Sequence, residues 1–236
     1  MKSTDTNTDG RLASRPDDAG TARTVERRQI FAAYEEAKRT GSYLVINADE
    51  QPDYAERKKL FSEIPRIEGE RVVLDRVIDA DADALRDLID NPLVQRYLPN
   101  HLFEKQFDDV HEAIELLYGN LFESKDSLIL GVHLKETGEL AGLVEFYSLN
   151  DRLHKISVGY RLRERWWKCG LATEAVRLMV NYLYSETDIE IITASTMVEN
   201  KASAHVLEKV DFIRTARNVE EDWGFPEPTR VDKWFY

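Results

Sequence analysis

Between Val158 and Thr173 the chain reads V-G-Y-R-L-R-E-R-W-W-K-C-G-L-A-T, an alternating strand that passes through a basic connector into an amphipathic helix. Arg161, Arg163, Arg165 and Lys168 fall within eight residues, opposed only by Glu164. Gly170 stands at the turn, and Ala172, Val176, Met179 and Leu183 then share one helical face. The first turn of a helix leaves amide N–H groups without carbonyl partners, and its dipole adds positive potential, so a phosphate is held well there. Taken alone, the cations read as a solvated strand end. Joined to a glycine turn and a helix start, they point to a diphosphate site, with a plain charged turn as the alternative. Neither G-x-G-x-x-G nor G-x-x-x-x-G-K-[ST] occurs, which argues against NAD and ATP. Cys169, the one cysteine, lies inside this loop. It is expected to be a modifiable thiol without a catalytic role, or else a side chain turned into the core.

The elements that must hold this segment can be read on either side of it. Arg71 to Val77 alternates as a strand, Ala80 to Ile89 reads as a helix ended by Asn91-Pro92, and Phe107 to Phe122 as a second amphipathic helix. Ser127–Leu134 and Leu140–Leu149 flank a Gly-bearing turn and form a hairpin, and Lys155–Leu162 is a third strand. Helix 171–184, strand 189–197, helix 201–209, strand 212–215 and a last strand 230–236 follow. Strands covered by helices on both faces make an α/β or α+β sheet. Ahead of this domain, residues 1–23 are polar and read as disordered. Residues 24–65 read as a helical extension, with helices at 24–40 and from Pro52 to Ile64 around a short apolar run from Ser42 to Asn47.

Composition narrows the classes. The chain has 236 residues, enough for one buried domain with an extension, and a formal net charge of −12. A surface this acidic repels phosphate backbones and suits a cationic substrate such as an amine, so nucleic acid is not expected as a partner. No apolar stretch approaches the roughly 20 residues of a membrane span, and the N-terminus lacks the apolar core of a secretory signal. A single cysteine excludes an intrachain disulfide and gives no metal motif, so no metal is expected. A soluble cytoplasmic protein with no membrane partner is the expectation.

Trp167 to Ala175, W-K-C-G-L-A-T-E-A, resembles the pyrophosphate loop and following helix of GNAT acetyltransferases, in the form common among RimJ/RimL-type members. Asn200 to Phe212, N-K-A-S-A-H-V-L-E-K-V-D-F, resembles that family's N-x-x-[AS]-x-x-[VL]-L-x-K-x-G-F, and Ile156 to Leu162 its cofactor strand. The resemblance covers residues 66–236. It implies a GNAT fold, a mixed, mostly antiparallel central sheet splayed at the acetyl-CoA site and flanked by helices. Acetyl-CoA is the implied acetyl donor. Backbone groups of Tyr160, Arg161 and Leu162 would pair with its pantetheine arm. The loop of Trp167, Lys168, Cys169, Gly170, Leu171, Ala172 and Thr173 would hold its pyrophosphate. Asn200 would bond the arm, and Ser203 would sit near the sulfur and protonate the departing thiolate. From spacing alone Asn200 is a helix N-cap and Ser203 a small first-turn residue. Two departures stand out: Lys168 where glycine is frequent, and Asp211 where glycine usually precedes Phe212. Asp tolerates a left-handed backbone, so that turn is expected to survive.

The implied reaction is direct attack of a neutral amine on the thioester, and some group must accept the amine proton. By family analogy the candidates are Glu145, on the strand from Leu140, and Asp222, 19 residues after Ser203, in the acidic run Glu220-Glu221-Asp222. Asp151 and His154 are further candidates, and water alone is another. RimJ/RimL-type members act on protein N-terminal amines, and a peptide N-terminus is the expected acceptor. A small amine such as a polyamine, amino sugar or amino-acid conjugate is the alternative. A non-catalytic CoA-binding protein on the same scaffold is a third reading. The resemblance also admits a homodimer.

Overall fold

The computed structural model describes residues 16–42, 57–100 and 102–236. Eight strands form one sheet: β1 (Ile67–Glu68), β2 (Val72–Asp75), β3 (Ser127–Leu134), β4 (Leu140–Asn150), β5 (Lys155–Leu162), β6 (Ile191–Met197), β7 (Ile213–Glu221) and β8 (Thr229–Phe235). Their order across the sheet is β1-β2-β3-β4-β5-β6-β8-β7. Every pairing is antiparallel except β5 with β6. The β3–β4 hairpin closes on Gly138, whose φ of +74° favours a residue without a Cβ. The parallel pair requires a crossover, which helix α6 (Leu171–Glu186) supplies.

Side chains alternate across the sheet and sort the core into two faces. On one face Val144, Phe146, Ile156, Val158, Ile192 and Trp234 pack against Val176, Met179 and Leu183 of α6 and Leu207 of α7 (Lys201–Lys209). On the other, Ile129, Leu140 and Leu143 pack against α2 (Ala82–Asp90), α3 (Pro92–Gln95) and α4 (Val110–Tyr118). Helix α1 (Pro16–Thr40) covers a further part of that second face. Its Tyr34 and Ala37 are buried against Leu153, Ile191 and Phe235, and the Phe31 ring meets the Phe235 ring edge-on at 4.9 Å. None of the helices among the described residues is long and apolar enough to cross a membrane.

Several boundaries differ from the sequence reading. Of the segment expected to be disordered, residues 1–15 lie outside the described residues, and 16–23 are the start of α1. Pro16 opens that helix, a position where its missing N–H costs nothing. The second extension helix, from Pro52, is outside the described residues to 56 and not helical beyond them. From 57 to 64 the chain is extended apart from a single 3₁₀ turn at Leu60–Ser62. The backbone of Lys58 instead bonds Glu186 and Asp188, which diverts it from helical pairing, while Leu60 is buried in the main core. The apolar run from Ser42 is outside the described residues from 43 onward. The helix expected over 107–122 starts at Val110, capped by Asp109. It breaks at Gly119, and α5 (Asn120–Glu123) follows. Asn91 ends α2 and also caps α3 through the amides of Leu93 and Val94.

One buried ion pair ties the segment after α3 to the central strand. Arg161 of β5 donates from Nη2 to Glu104 Oε1 at 2.5 Å, both side chains being almost wholly enclosed. Removing one partner strands the other charge in a low-dielectric interior. Glu104→Ala is therefore expected to lower the unfolding free energy by about 3–5 kcal/mol in urea titrations, far more than a surface carboxylate would. Tyr34→Ala removes the buried anchor of α1 and is expected to cost about 2–4 kcal/mol in the same measurement. A Tyr34→Ala variant with unchanged stability would show that α1 adds nothing to the fold.

Candidate active site

β5 and β6 pair only at Lys155↔Ile191, Ile156↔Ile192 and Ser157↔Thr193. Beyond that point β6 continues along β8 to Met197↔Val231, and β5 continues along β4 to Leu162. The two strands part, and a cleft of about 630 Å³ opens between them. Tyr160, Asn200 and Ser203 line one part of it, and Glu145, Lys155 and Glu221 line another. A strand edge exposed in mid-sheet leaves backbone donors and acceptors to be satisfied by something else. Of the residues expected to supply them, Leu162 already gives its carbonyl to the Trp167 indole N–H, at 2.8 Å.

Past the end of β5 the chain turns into α6, and none of the loop residues 167–173 is among those lining the cleft. Lys168 and Gly170 both have left-handed backbones, with φ of +60° and +80°. The first intrahelical donor of α6 is Glu174, bonding the Gly170 carbonyl at 3.2 Å, so the amides of Leu171, Ala172 and Thr173 have no carbonyl behind them. The loop is pinned from outside by Arg71. Its Nη1 donates to the Cys169 carbonyl at 2.9 Å, and its Nε donates to Glu174 Oε2 at 2.8 Å. A Cβ on Gly170 would meet Arg71 Nη2 at 3.3 Å. Burial raises the Glu174 carboxyl, but the hydrogen bonds from Arg71 and Val72 and the Arg71 charge outweigh it and hold it below the usual range. This set of open amides on a pinned, glycine-turned loop fits a diphosphate.

Three of the four cations in the basic cluster are engaged by carboxylates. Arg161 turns inward to Glu104, Arg163 is paired with Asp87 and Glu139, and Arg165 with Glu139. Ion pairing with neighbouring carboxylates consumes these charges, and backbone amides with Lys168 are left for an anion. Cys169 is exposed, with Sγ 3.4 Å from the Trp167 carbonyl oxygen, so the core alternative for this thiol does not hold. Asp211 has a φ of +67°, and the turn into Phe212 is kept as expected.

Asn200 caps α7 through the Ser203 amide, at 3.1 Å, and lines the cleft as well. The Ser203 hydroxyl lies 2.8 Å from the Tyr160 hydroxyl, which also donates to the Ser203 carbonyl at 3.0 Å. Burial pushes the Tyr160 phenol well above its ordinary range, so it stays protonated. Glu145 faces Gly159 across the β4–β5 register and accepts a hydrogen bond from Ser127. Arg161 Nη1 stands 3.9 Å from Glu145 Oε2.

The acidic run divides. Glu220 and Glu221 belong to β7, which is longer than the four residues expected. Glu221 reaches the cleft, bonded to Lys233 and to the Trp223 indole N–H. Burial raises its carboxyl, and the bonds from Lys233, Trp223 and Ser195 more than offset that. Asp222 sits exposed at the mouth, accepting from the Gly224 amide at 2.8 Å. Asp151 and His154 lie on the β4–β5 turn, outside the cleft lining. The side chains of Lys155 and Lys233 and the hydroxyl of Tyr160 are not anticipated by the sequence reading, whereas Glu221 belongs to the acidic run named there. The signal for Lys155 is the polar run Lys155, Ser157, Gly159, Arg161 on alternate positions of an otherwise apolar strand.

The family model for the Acetyltransferase (GNAT) domain matches residues 71–213. YoaA, an uncharacterized N-acetyltransferase of Bacillus subtilis, is 27% identical over 150 residues, 63% of this chain and 82% of that protein. Among solved structures, the Salmonella typhimurium acetyl transferase that modifies the N-terminal serine of 50S subunit protein L7/L12 superposes with a TM-score of 0.62 at 15% identity. That match covers 73% of this chain and 98% of that one. The microcin C7 self-immunity acetyltransferase MccE, in complex with acetyl-CoA and AMP, superposes with a TM-score of 0.57 at 18% identity, covering 70% and 92%. With more than half of its length matched by one family model, on a sheet parted beside a glycine-turned helix start, this chain belongs to the GNAT family of N-acetyltransferases.

Proposed function

We propose that this protein transfers the acetyl group of acetyl-CoA to the N-terminal α-amine of a protein, with both substrates bound together. The observation that carries the reading is the parting of β5 from β6, which leaves room for an extended chain between them. The amides of residues 168–173 suit its pyrophosphate, and the Asn200 side chain and the Tyr160 backbone suit the pantetheine arm. Acetyl-CoA supplies an activated acyl group when bound. Glu145 Oε2 accepts the proton of the attacking amine, directly or through one water. Ser203 Oγ, held by the Tyr160 hydroxyl, delivers a proton to the departing sulfur. The new C–N bond forms as the C–S bond breaks, and holding both reactants in one cleft supplies much of the acceleration.

The choice of a peptide acceptor draws on the RimL-type enzymes among the structural neighbours. A small amine is favoured by a different observation. Asn100 bonds the carbonyls of Trp223 and Gly224, at 2.7 and 3.2 Å, and so links the two loops that flank the acceptor side. That link restricts how much of a polypeptide can enter.

Acetyl-CoA is expected to raise the melting temperature, and NAD and ATP are not. Gly170→Val puts a branched side chain on a left-handed backbone facing Arg71, and should abolish the acetyl-CoA shift. An intact protein that shows no heat of binding with CoA or acetyl-CoA would overturn the whole reading.

Ser203→Ala should lower kcat by about 10²-fold with little change in the KM for acetyl-CoA. Asn200→Ala should instead weaken acetyl-CoA binding and cost about 1 kcal/mol of helix capping. Glu145→Gln should depress turnover by about 10²-fold at neutral pH and flatten the acidic limb of the pH–rate profile, and Asp222→Asn should leave that limb in place. The opposite ranking of the two carboxylates would move the base to the cleft mouth.

A further inference from the structure

The acceptor side of the cleft carries both signs of charge, placed at different heights along β5. The upper part holds Glu145, opposite Gly159. The lower part holds Lys155, two residues before Ser157 and on the same face, with Nζ 3.3 Å from Ser157 Oγ. Lys155 is half-buried, lines the cleft, and forms no ion pair among the described residues. The neighbouring ammonium of Lys233 is committed to Glu221 and to Ser195 Oγ, the latter at 2.9 Å. Lys38 of α1 adds a further positive charge from beneath. Burial lowers the Lys155 ammonium below its usual range, and Lys233 and Lys38 lower it further, with Glu221 acting in the opposite direction. A partly desolvated cation facing an open cleft, next to a second lysine already engaged by the local carboxylate, is short of negative charge.

We propose that Lys155 forms a subsite for an anionic group on the same molecule that presents the acceptor amine, its ammonium held in place by the Ser157 hydroxyl, which is itself bonded to Thr193 Oγ1 at 2.9 Å. This rests on the acetyl-transfer reading, which puts the amine beside Glu145 and Gly159. Ser157 and Gly159 are two strand residues apart, so the amine and the anion are separated by about 7 Å. A carboxylate in the first residues of a peptide meets that spacing, and so does a short amino acid. The acceptor is thus zwitterionic, its ammonium end toward Glu145 and its acid end toward Lys155.

The test pairs acceptors that differ only in that charge. One pair is 4-aminobutyrate and 4-aminobutanamide; the other is the tripeptide amides Ser-Asp-Ala and Ser-Asn-Ala. Each is measured twice, by calorimetry in the presence of CoA and by acetyl transfer from acetyl-CoA. In the unmodified protein the acid of at least one pair should bind and react about tenfold better than its amide, the value of one charge-assisted hydrogen bond. The pair that shows the preference identifies the source, small molecule or peptide. In Lys155→Met the acid-to-amide ratio should fall toward one, and in Lys155→Glu it should invert. Equal binding of acid and amide in both pairs by the unmodified protein overturns the subsite. So does a ratio that survives Lys155→Met in a variant with an intact acetyl-CoA melting shift. Acid-selective binding without any acetyl transfer would leave the subsite standing and remove the transferase reading instead.

Discussion

A strand edge left open inside a sheet must find partners for its amides and carbonyls, and the separation of β5 from β6 imposes that demand on everything around it. Ordinary parallel strands stay paired along their length. Here β6 is drawn away by five register pairs with β8, and β5 is held by seven with β4. Neither strand can follow the other. The Tyr160 side chain reaches across the opening to α7, and the Trp167 indole closes its end on the Leu162 carbonyl. What remains is a slot lined by Tyr160, Asn200 and Ser203 in one part and by Glu145, Lys155 and Glu221 in another. On the proposed reading, an extended ligand takes up the open strand edge.

The charges are arranged around the same slot. The protein is acidic overall, yet the segment bordering the slot is the basic one. Most of its cations are spent on structure. Arg163 and Arg165 bind the β3–β4 turn through Glu139, and Arg161 holds the segment after α3 through Glu104. Arg71 and Glu174 clamp the loop before α6 to β2. These contacts fix the position of the loop, and the open amides then contribute positive potential without mobile side chains. Glu104 Oε2 and Arg161 Nε have no hydrogen-bond partner among the described residues, so the buried pair is incompletely satisfied there and contributes position more than stability.

Much of this was legible in the chain because it is local. The hairpin on Gly138, β5, α7 and the glycine turn before α6 each depend on a few adjacent residues, and their periodicity or turn chemistry shows. Asn200 could be placed as a cap for the same reason. The basic cluster misled because ion pairing is a tertiary fact: Glu104, Asp87 and Glu139 come from three separate elements. β7 was read short because its left-handed Asn218 and its register shifts against β8 break the alternation that marks a strand. Glu221 therefore looked like a loop residue. The Tyr160–Ser203 contact joins residues 43 apart, which no spacing argument connects.

β8 is the last strand in chain order, yet it occupies an interior place between β6 and β7. Its Trp234 enters the main core, and its Phe235 receives α1 from the other face. During synthesis β6 and β7 therefore emerge as two unsatisfied edges, and α1, the first described element made, waits for a docking surface that β8 completes. A premature stop before Thr229 would leave adhesive edges on both β6 and β7 and an amphipathic helix with nothing to cover, a product suited to aggregation and proteolysis rather than to partial activity.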